Sequence, residues 1–136
     1  MAEALQLEIV TPERQVLADT ASEIQVPGKN GYLGILPGHA PLITELAVGE
    51  ITYRPAAGGD AQHIAVAWGF AEVLPDKVTI LAETAERAAE IDVARAEKSK
   101  QRAEQRLAKP TDELDVQRSQ ESLERAQVRL QVASKK

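Results

Sequence analysis

Apolar and polar residues alternate in several short stretches before residue 84, which is the pattern of strands with one buried and one exposed face. The alternating apolar positions are Leu5, Leu7, Ile9, Ile24, Val26, Ile51, Tyr53, Val78, Ile80 and Ala82. Turn-forming sequences such as TPE, PGKNG and LPGHAP fall between them, and seven of the eight glycines and five of the seven prolines lie before Asp60. Many short strands with frequent turns predict a β-sandwich or a barrel.

The pattern changes after residue 83. From residue 85 onward there is no glycine and only Pro110, and strong helix formers dominate. Pro110 is expected to end one helix, and Thr111 or Asp112 can cap the next. The predicted fold class is therefore α+β, with an N-terminal β-sandwich over residues 1–86 followed by a C-terminal antiparallel two-helix hairpin over residues 87–136.

The seam between the two predicted helices is thin. It consists of small or isolated apolar residues spaced by three and four positions. They are Ala96, Ser99, Ala103 and Leu107 on the first helix and Val116, Ser119, Leu123, Ala126 and Leu130 on the second. Such residues let the helices approach closely but bury little area. Because ordering the backbone costs roughly 1–2 kcal/mol per residue, we expect a marginally stable hairpin whose position a ligand or partner can decide.

Charge is divided unevenly along the chain. Residues 91–136 carry eleven basic and eight acidic residues, a net of +3, whereas residues 1–90 carry five basic and thirteen acidic residues, a net of −8. The whole chain has a formal net charge of −5. This asymmetry indicates that the two regions meet different partners.

The arginines of the two predicted helices form matching stripes. On each helix three arginines are spaced by seven and four residues, namely Arg95, Arg102 and Arg106, and Arg118, Arg125 and Arg129. Several of them are like-charge neighbours one helical turn apart, which is unfavourable without a counter-charge. Three interpretations remain open: a solvated face, a phosphate ligand held by guanidinium groups, or an acidic protein surface.

Several other classes of function are not supported by the residues. There is no cysteine and no GxxxxGK[ST] loop, and His39 and His63 are too few for a zinc site. No nucleophile and base are paired by their spacing, and the acidic chain lacks aromatic residues in its basic region for nucleic-acid binding. No signal peptide is evident, and the apolar stretch 64–71 is too short to span a bilayer. We expect no enzyme, no metal site, no nucleic-acid partner and no direct membrane insertion.

Three segments carry a family resemblance: VTPERQVLADTASEIQVPGKNGYLGILPGHAPLITEL, IAVAWGFAEVLPDKVTILAETAERA and IDVARA. In this order they closely resemble the ε subunit of the bacterial F-type ATP synthase over nearly the whole chain. The resemblance implies a sandwich followed by a helical hairpin, in agreement with the pattern above. It also implies a non-catalytic central-stalk subunit of the proton-translocating enzyme, bound to the γ subunit and the c-ring, and located peripherally at the cytoplasmic face of the inner membrane.

The same resemblance implies a contact between the sandwich and the c-ring through the segment GYLGILPGH. The expected contact residues are Gly31, Tyr32, Leu33, Gly34, Pro37, Gly38 and His39. Many bacterial members carry an acidic residue where this chain has Tyr32, so the resemblance does not carry a charged contact over to this position.

The segment IDVARA matches the [IL]DxxRA motif through which some members bind ATP as a regulatory ligand, with no cofactor required. The resemblance implies an ATP site composed of Glu86, Ile91 and Asp92 around the adenine and ribose, Ala96 within the motif, and Arg95, Arg102, Arg125 and Arg129 toward the phosphates. Arg106 and Arg118 are not assigned to ATP. In the family the folded-down hairpin binds ATP, and the extended hairpin reaches the catalytic β subunit and inhibits hydrolysis. The alternative is that the arginines serve only this β-subunit contact and that no ATP is bound.

Overall fold

A computed structural model describes residues 3–135. The strands are β1 (Leu5–Val10), β2 (Gln15–Gly28), β3 (Gly31–Ile35), β4 (Leu42–Leu46), β5 (Gly49–Pro55), β6 (Gln62–Val73) and β7 (Lys77–Arg87). A short 3-10 helix (Ala88–Glu90) leads to the helices α1 (Val93–Ala108) and α2 (Glu113–Ala133). The predicted strands and the predicted pair of helices are confirmed.

The strands close into a continuous hydrogen-bonded ring. Strand β1 pairs in parallel with β7 and antiparallel with β2, and β6 joins β7 to the pair formed by β5 and β2. Along β6, residues 62–66 pair with β5 and residues 69–73 pair with β4. The change of partner falls at Trp68 and Gly69, which have φ angles of 51° and 127°. Thus β6 bends between the two layers of the sandwich.

The main core lies inside the sandwich, as the sequence predicted. Its largest fully buried side chains are Leu5, Leu7, Ile9, Ile24, Val26, Ile35, Ile51, Ile64, Val73, Val78 and Ile80. Aromatic residues contribute less than their position in the sequence indicated, because Tyr53 is buried but Tyr32 and Phe70 are more than half exposed. The Tyr53 hydroxyl donates to Asp19 Oδ2 at 2.7 Å, and burial together with this hydrogen bond raises the pKa of Tyr53 well above its usual value.

Both helices begin at an aspartate cap. The Asp92 carboxylate accepts a hydrogen bond from Arg95 N at 3.0 Å, and Asp112 accepts one from Asp115 N at 2.7 Å. These bonds satisfy amide groups that have no partner within the first helical turn. The predicted break at Pro110 is confirmed, and of the two candidate caps it is Asp112 that acts.

The hairpin is folded down on the sandwich through α2. At the seam between the helices Ala96, Ala103, Ser119 and Ala126 are buried, as predicted. A second apolar surface on α2, which the sequence pattern did not predict, consists of Val132 and Ala133 with the half-buried Val128, and it packs against Ala65 and Ile91. Helix α2 therefore lies between α1 and the sandwich.

The segment that enters the hairpin is fixed to the sandwich by two arginines. Arg87 donates from Nε and Nη2 to the carbonyl oxygen of Val16, at 3.0 and 2.6 Å. Arg14 forms an ion pair of 2.8 Å with Glu90, whose other carboxylate oxygen accepts from Arg87 N. The start of α1 is thus held in a defined place beside the end of β7.

Candidate functional site

A cavity of about 430 Å³ lies where the end of β7 meets the first turns of α1. Its lining is of mixed charge, with five acidic and three basic side chains, which are Glu13, Glu83, Glu86, Glu90, Asp92, Arg14, Arg95 and Arg129. Thr11, Thr84 and Ser99 add hydroxyl groups. This first cavity offers both donors and acceptors, which suits a polar group without strong negative charge better than a phosphate chain.

A second cavity, of about 170 Å³, lies between α1 and α2. It is lined by four arginines, three serines and one alanine, which are Arg102, Arg106, Arg125, Arg129, Ser99, Ser119, Ser122 and Ala103. No acidic side chain lines it among residues 3–135. Concentrated guanidinium groups with hydroxyls are the side chains that bind phosphate oxygens.

Ser119 adds an unsatisfied donor to the second cavity. The residue is 3% exposed, and its Oγ has no hydrogen-bond partner within the part of the chain that the structure describes. Buried hydroxyls normally have a partner, because an unpaired one costs free energy. An acceptor such as a phosphate oxygen in this cavity would satisfy it.

The two cavities are adjacent. Ser99 and Arg129 line both of them. Arg129 Nε also donates to Glu86 Oε1 at 2.5 Å, so this ion pair ties α2 to the end of β7 at the boundary between the cavities. An elongated ligand with an uncharged polar end and a polyanionic end would match the pair of cavities.

Arg125 is held by uncharged neighbours. Its Nη2 donates to Ser122 Oγ at 3.1 Å, and its guanidinium carbon lies 5.2 Å from the centre of the Trp68 ring. A cation over the face of an indole ring is attracted by the negative face of the ring. Trp68 thus holds in place a basic side chain that also lines the second cavity.

The structure brings seven of the eight predicted ATP-site residues to these cavities. Glu86, Asp92, Arg95 and Ala96 line the first, Arg102 and Arg125 line the second, and Arg129 lines both. The eighth, Ile91, lines neither, because its side chain is buried with Ala65 beneath α2. Asp92 also serves as the α1 cap.

Sequence reasoning missed several residues of the site. Arg106 lines the second cavity although it was not assigned to ATP, whereas Arg118 lines neither cavity. The spacing of the stripe included Arg106 and could have indicated it. Ser99 and Ser119 were recognised only as seam residues, and no pattern singled out Ser122 or Trp68.

The predicted c-ring contact segment is not one continuous loop. Gly31, Tyr32, Leu33 and Gly34 lie within strand β3, and only Pro37, Gly38 and His39 lie in the connection to β4. Tyr32 is 56% exposed, and its hydroxyl accepts from Glu50 N at 3.2 Å. Gly38 N donates to Pro75 O at 2.7 Å, which joins this connection to the turn between β6 and β7.

A separate group of exposed apolar side chains lies on the outer face of β4, β6 and β7, beside the exposed Glu45 and Glu72. We define it by Ile43, Phe70 and Leu81, which are 70%, 51% and 54% exposed. Phe70 and Leu81 are direct partners across the β6–β7 ladder. Large apolar residues grouped on one exposed face indicate an interaction surface.

The geometry defines a class of protein: a β-sandwich that carries a folded-down helical hairpin over a basic cavity. Two family models match in succession and together span most of the chain. The ATP synthase Delta/Epsilon chain β-sandwich domain matches residues 4–88, and the ATP synthase Delta/Epsilon chain long α-helix domain matches residues 89–134. The chain therefore belongs to the ATP synthase delta/epsilon chain family.

Bacterial relatives narrow the family assignment from delta or epsilon chain to the epsilon chain. An ATP synthase epsilon chain of Koribacter versatilis is 66% identical over 107 residues, which cover 79% of this chain and 74% of the relative. One from Syntrophobacter fumaroxidans is 50% identical over 135 residues, covering 99% of both chains. The resemblance to the bacterial ε subunit is confirmed.

Solved structures share the fold at low sequence identity. A chain of the Euglena gracilis mitochondrial ATP synthase (OSCP/F1/c-ring) has a TM-score of 0.83 and 22% identity, covering 98% of this chain and 83% of that one. A chain of the Tetrahymena thermophila mitochondrial ATP synthase (central stalk/c-ring) has a TM-score of 0.57 and 16% identity, covering 98% and 96%. The likeness extends over the hairpin as well as the sandwich. Within residues 3–135, neither helix has the length and apolar character needed to cross a membrane.

Proposed function

We propose that this chain is a non-catalytic subunit of the central stalk of a bacterial proton-translocating F-type ATP synthase, where it couples the γ subunit to the c-ring. Family membership and the epsilon-chain relatives support the assembly, and the solved structures that share the fold are ATP synthase assemblies with the c-ring and the central stalk. The location is peripheral, at the cytoplasmic face of the inner membrane. The hairpin regulates the enzyme by changing position.

The apolar patch of Ile43, Phe70 and Leu81 is the proposed face for the γ subunit. Its three side chains are large, exposed and adjacent on the outer surface of the sheet. The proposed c-ring contact is the segment that runs from Tyr32 along β3 into the connection to β4, in which Tyr32 and Leu36 are 56% and 59% exposed. Contact through Tyr32 and Leu36 would be apolar and aromatic rather than charged.

Replacing Leu81 by aspartate is expected to weaken binding of purified γ subunit by at least about tenfold, because a charge within an apolar contact must be desolvated. Titration of γ against the immobilised chain measures this. Leu114→Asp is the matched control, since Leu114 is 53% exposed on the first turn of α2, outside the patch. Equal affinities of the two variants would exclude this face.

The second part of the proposal is that the folded-down hairpin binds ATP. The observation that carries it is the arginine-lined second cavity with the unsatisfied Ser119 hydroxyl, joined through Arg129 to a first cavity of mixed charge. In this arrangement the base and ribose occupy the first cavity and the phosphates occupy the second. Arg95, which the resemblance assigned to the phosphates, lines the first cavity and would contact the ligand there. The guanidinium groups and Ser119 bind the phosphate oxygens by charge-assisted hydrogen bonds.

ATP would act as a latch because the hairpin seam is thin. Bound phosphates would relieve the repulsion among the arginines and would cross-link α1 to α2. A ligand at one hundred times its dissociation constant stabilises the form that binds it by about 2.7 kcal/mol. That is enough to shift a marginal equilibrium between a folded-down and an extended hairpin by about a hundredfold.

Adding ATP to the isolated chain is expected to change the emission of Trp68 and to shift the amide resonances of α2. Trp68 is the only tryptophan in the sequence, and Arg125 stacks on it, so a phosphate that attracts Arg125 alters the environment of the ring. Arg95→Ala is expected to weaken the ATP affinity obtained from either signal by about tenfold. If millimolar ATP changes neither the Trp68 emission nor the α2 amide resonances, ATP binding is contradicted. The proposed role in the central stalk would remain.

The alternative is that the arginines serve only an acidic surface of the catalytic β subunit when the hairpin extends. The exposure of Arg102 and Arg106 in the folded-down hairpin supports this alternative, because exposed guanidinium groups are accessible to a protein partner. In that case Arg102→Ala would relieve inhibition of hydrolysis in the assembled enzyme, while the isolated chain would bind no ATP with or without the change.

A further inference from the structure

Glu50 is an acidic residue buried beneath the hairpin. It lies on β5, directly opposite Ala65 on β6, and is 7% exposed. Ala65 packs against Val132 and Ala133 of α2, so Glu50 lies next to the apolar contact between α2 and the sandwich. A carboxylate in such a place must be compensated by a cation or by donors, because burial of an isolated charge is costly.

Most of that compensation comes from the hairpin. Lys135, which follows α2, places Nζ 2.8 Å from Glu50 Oε2, and Gln131 places Nε2 3.5 Å from the same oxygen. On the sandwich side, His63 Nδ1 lies 3.1 Å from Glu50 Oε1 without being aligned for a hydrogen bond. Glu50 N donates to the Tyr32 hydroxyl, which fixes the backbone at this point.

We propose that the Glu50 carboxylate is a docking site for the C-terminal end of α2 and holds the hairpin down independently of any nucleotide. We call Glu50, Gln131 and Lys135 the Glu50 clasp. The clasp joins β5 to the C-terminal end of α2, whereas the first cavity lies between β7 and α1 and the second lies between α1 and α2. The proposal does not rest on ATP binding, since none of its residues lines either cavity.

The clasp determines the position of α2 more than it adds to stability. In this pair Glu50 is buried and the Lys135 side chain is 38% exposed. Such a pair contributes little net free energy because the attraction is offset by desolvation, but removing Lys135 leaves the buried Glu50 charge without its cation, which is unfavourable. If α2 shifted by one turn along the sheet, the apolar contacts at Ala65 could re-form while Glu50 would lose Lys135. The clasp therefore selects a single docked position and resists partial release.

Hydrogen exchange of the full chain without nucleotide tests this. Lys135→Ala is expected to accelerate exchange of the α2 amides between residues 126 and 133 by at least tenfold, because the docked state then contains an uncompensated Glu50. Adding Glu50→Gln to that variant removes the buried charge and is expected to slow exchange again. Lys109→Ala is the control, since Lys109 is exposed at the far end of the hairpin.

The sandwich amides, for example that of Ile80, report whether the fold itself is intact. If Glu50→Gln accelerates exchange of the sandwich amides, Lys135→Met replaces the double variant in the test. Lys135→Met keeps the hydrocarbon stem and removes only the charge, so it is expected to accelerate exchange of the α2 amides as much as Lys135→Ala does. Exchange in Lys135→Ala equal to that in Lys109→Ala would overturn the clasp. So would a folded double variant that exchanges at least as fast as Lys135→Ala.

Discussion

Replacing Gly69 by alanine is expected to lower the free energy of unfolding of the sandwich by roughly 2–6 kcal/mol, of which about 1–3 kcal/mol is backbone strain and about 1–3 kcal/mol is overpacking. Gly69 has a φ of 127°, which L-residues rarely adopt. A Cβ at this position would lie 1.9 Å from the carbonyl oxygen of Leu81, a backbone atom of the neighbouring strand that cannot rotate away. Urea denaturation followed by circular dichroism measures the change.

Gly34→Ala is the matched control for this prediction. Gly34 also lies in a strand, but a Cβ there meets nothing within 4 Å and its φ is not positive. We expect its effect to stay within about 0.5 kcal/mol, as for most surface substitutions. Similar destabilisation by both substitutions would show that the requirement for glycine at position 69 is not conformational.

Gly69 lies inside β6, but nothing in the local sequence shows why glycine is needed there. The alternation of apolar residues is a local property and predicted the strands themselves, because one face of each strand is buried. The bend at Trp68 and Gly69 depends instead on β6 exchanging β5 for β4 as its partner. Pairing between distant strands leaves no periodic signal in β6.

The hairpin shows the same division between local and tertiary information. Helix formers, Pro110 and the candidate cap Asp112 predicted its two helices, and the spacing of Ala96, Ala103 and Ala126 predicted their seam. The second apolar surface of α2, around Val132, was not predicted because its partner Ala65 is far away in the sequence. Nor could the pattern join Lys135 to Glu50, which are 85 residues apart.

The arginine spacing predicted two stripes, and the register of the folded hairpin decides which of their members meet. Arg106 enters the second cavity and Arg118 does not, although both complete a stripe. Spacing alone left a solvated face, a phosphate ligand and an acidic protein surface open, and the roles toward ATP came from the family resemblance. Ile91, assigned to the ligand by that resemblance, is buried beneath α2 and can contribute to the site only by fixing the start of α1.

Arg129→Ala is expected to weaken ATP binding by the isolated chain by about 10- to 100-fold, since hydrogen bonds to a charged group contribute about 1.5–3 kcal/mol each. Arg129 lines both cavities, so its loss removes a phosphate contact at the point where the two halves of the ligand join. Calorimetric titration measures the affinity. Arg118→Ala is the matched control, because Arg118 lies on the same helix and lines neither cavity.

Loss of affinity in Arg129→Ala has two physical causes that must be separated, because Arg129 also pairs with Glu86. Glu86→Gln removes the charge of that pair and leaves the guanidinium free for phosphate. If Arg129 binds the ligand directly, Arg129→Ala loses more affinity than Glu86→Gln, which alters only the contact of Glu86 in the first cavity. If Arg129 acts only by holding α2 against β7, both variants lose affinity together, and α2 amide exchange without ATP accelerates in both. Affinity unchanged in Arg129→Ala would contradict a phosphate site between the helices and would favour the catalytic-subunit surface as the partner of the arginines.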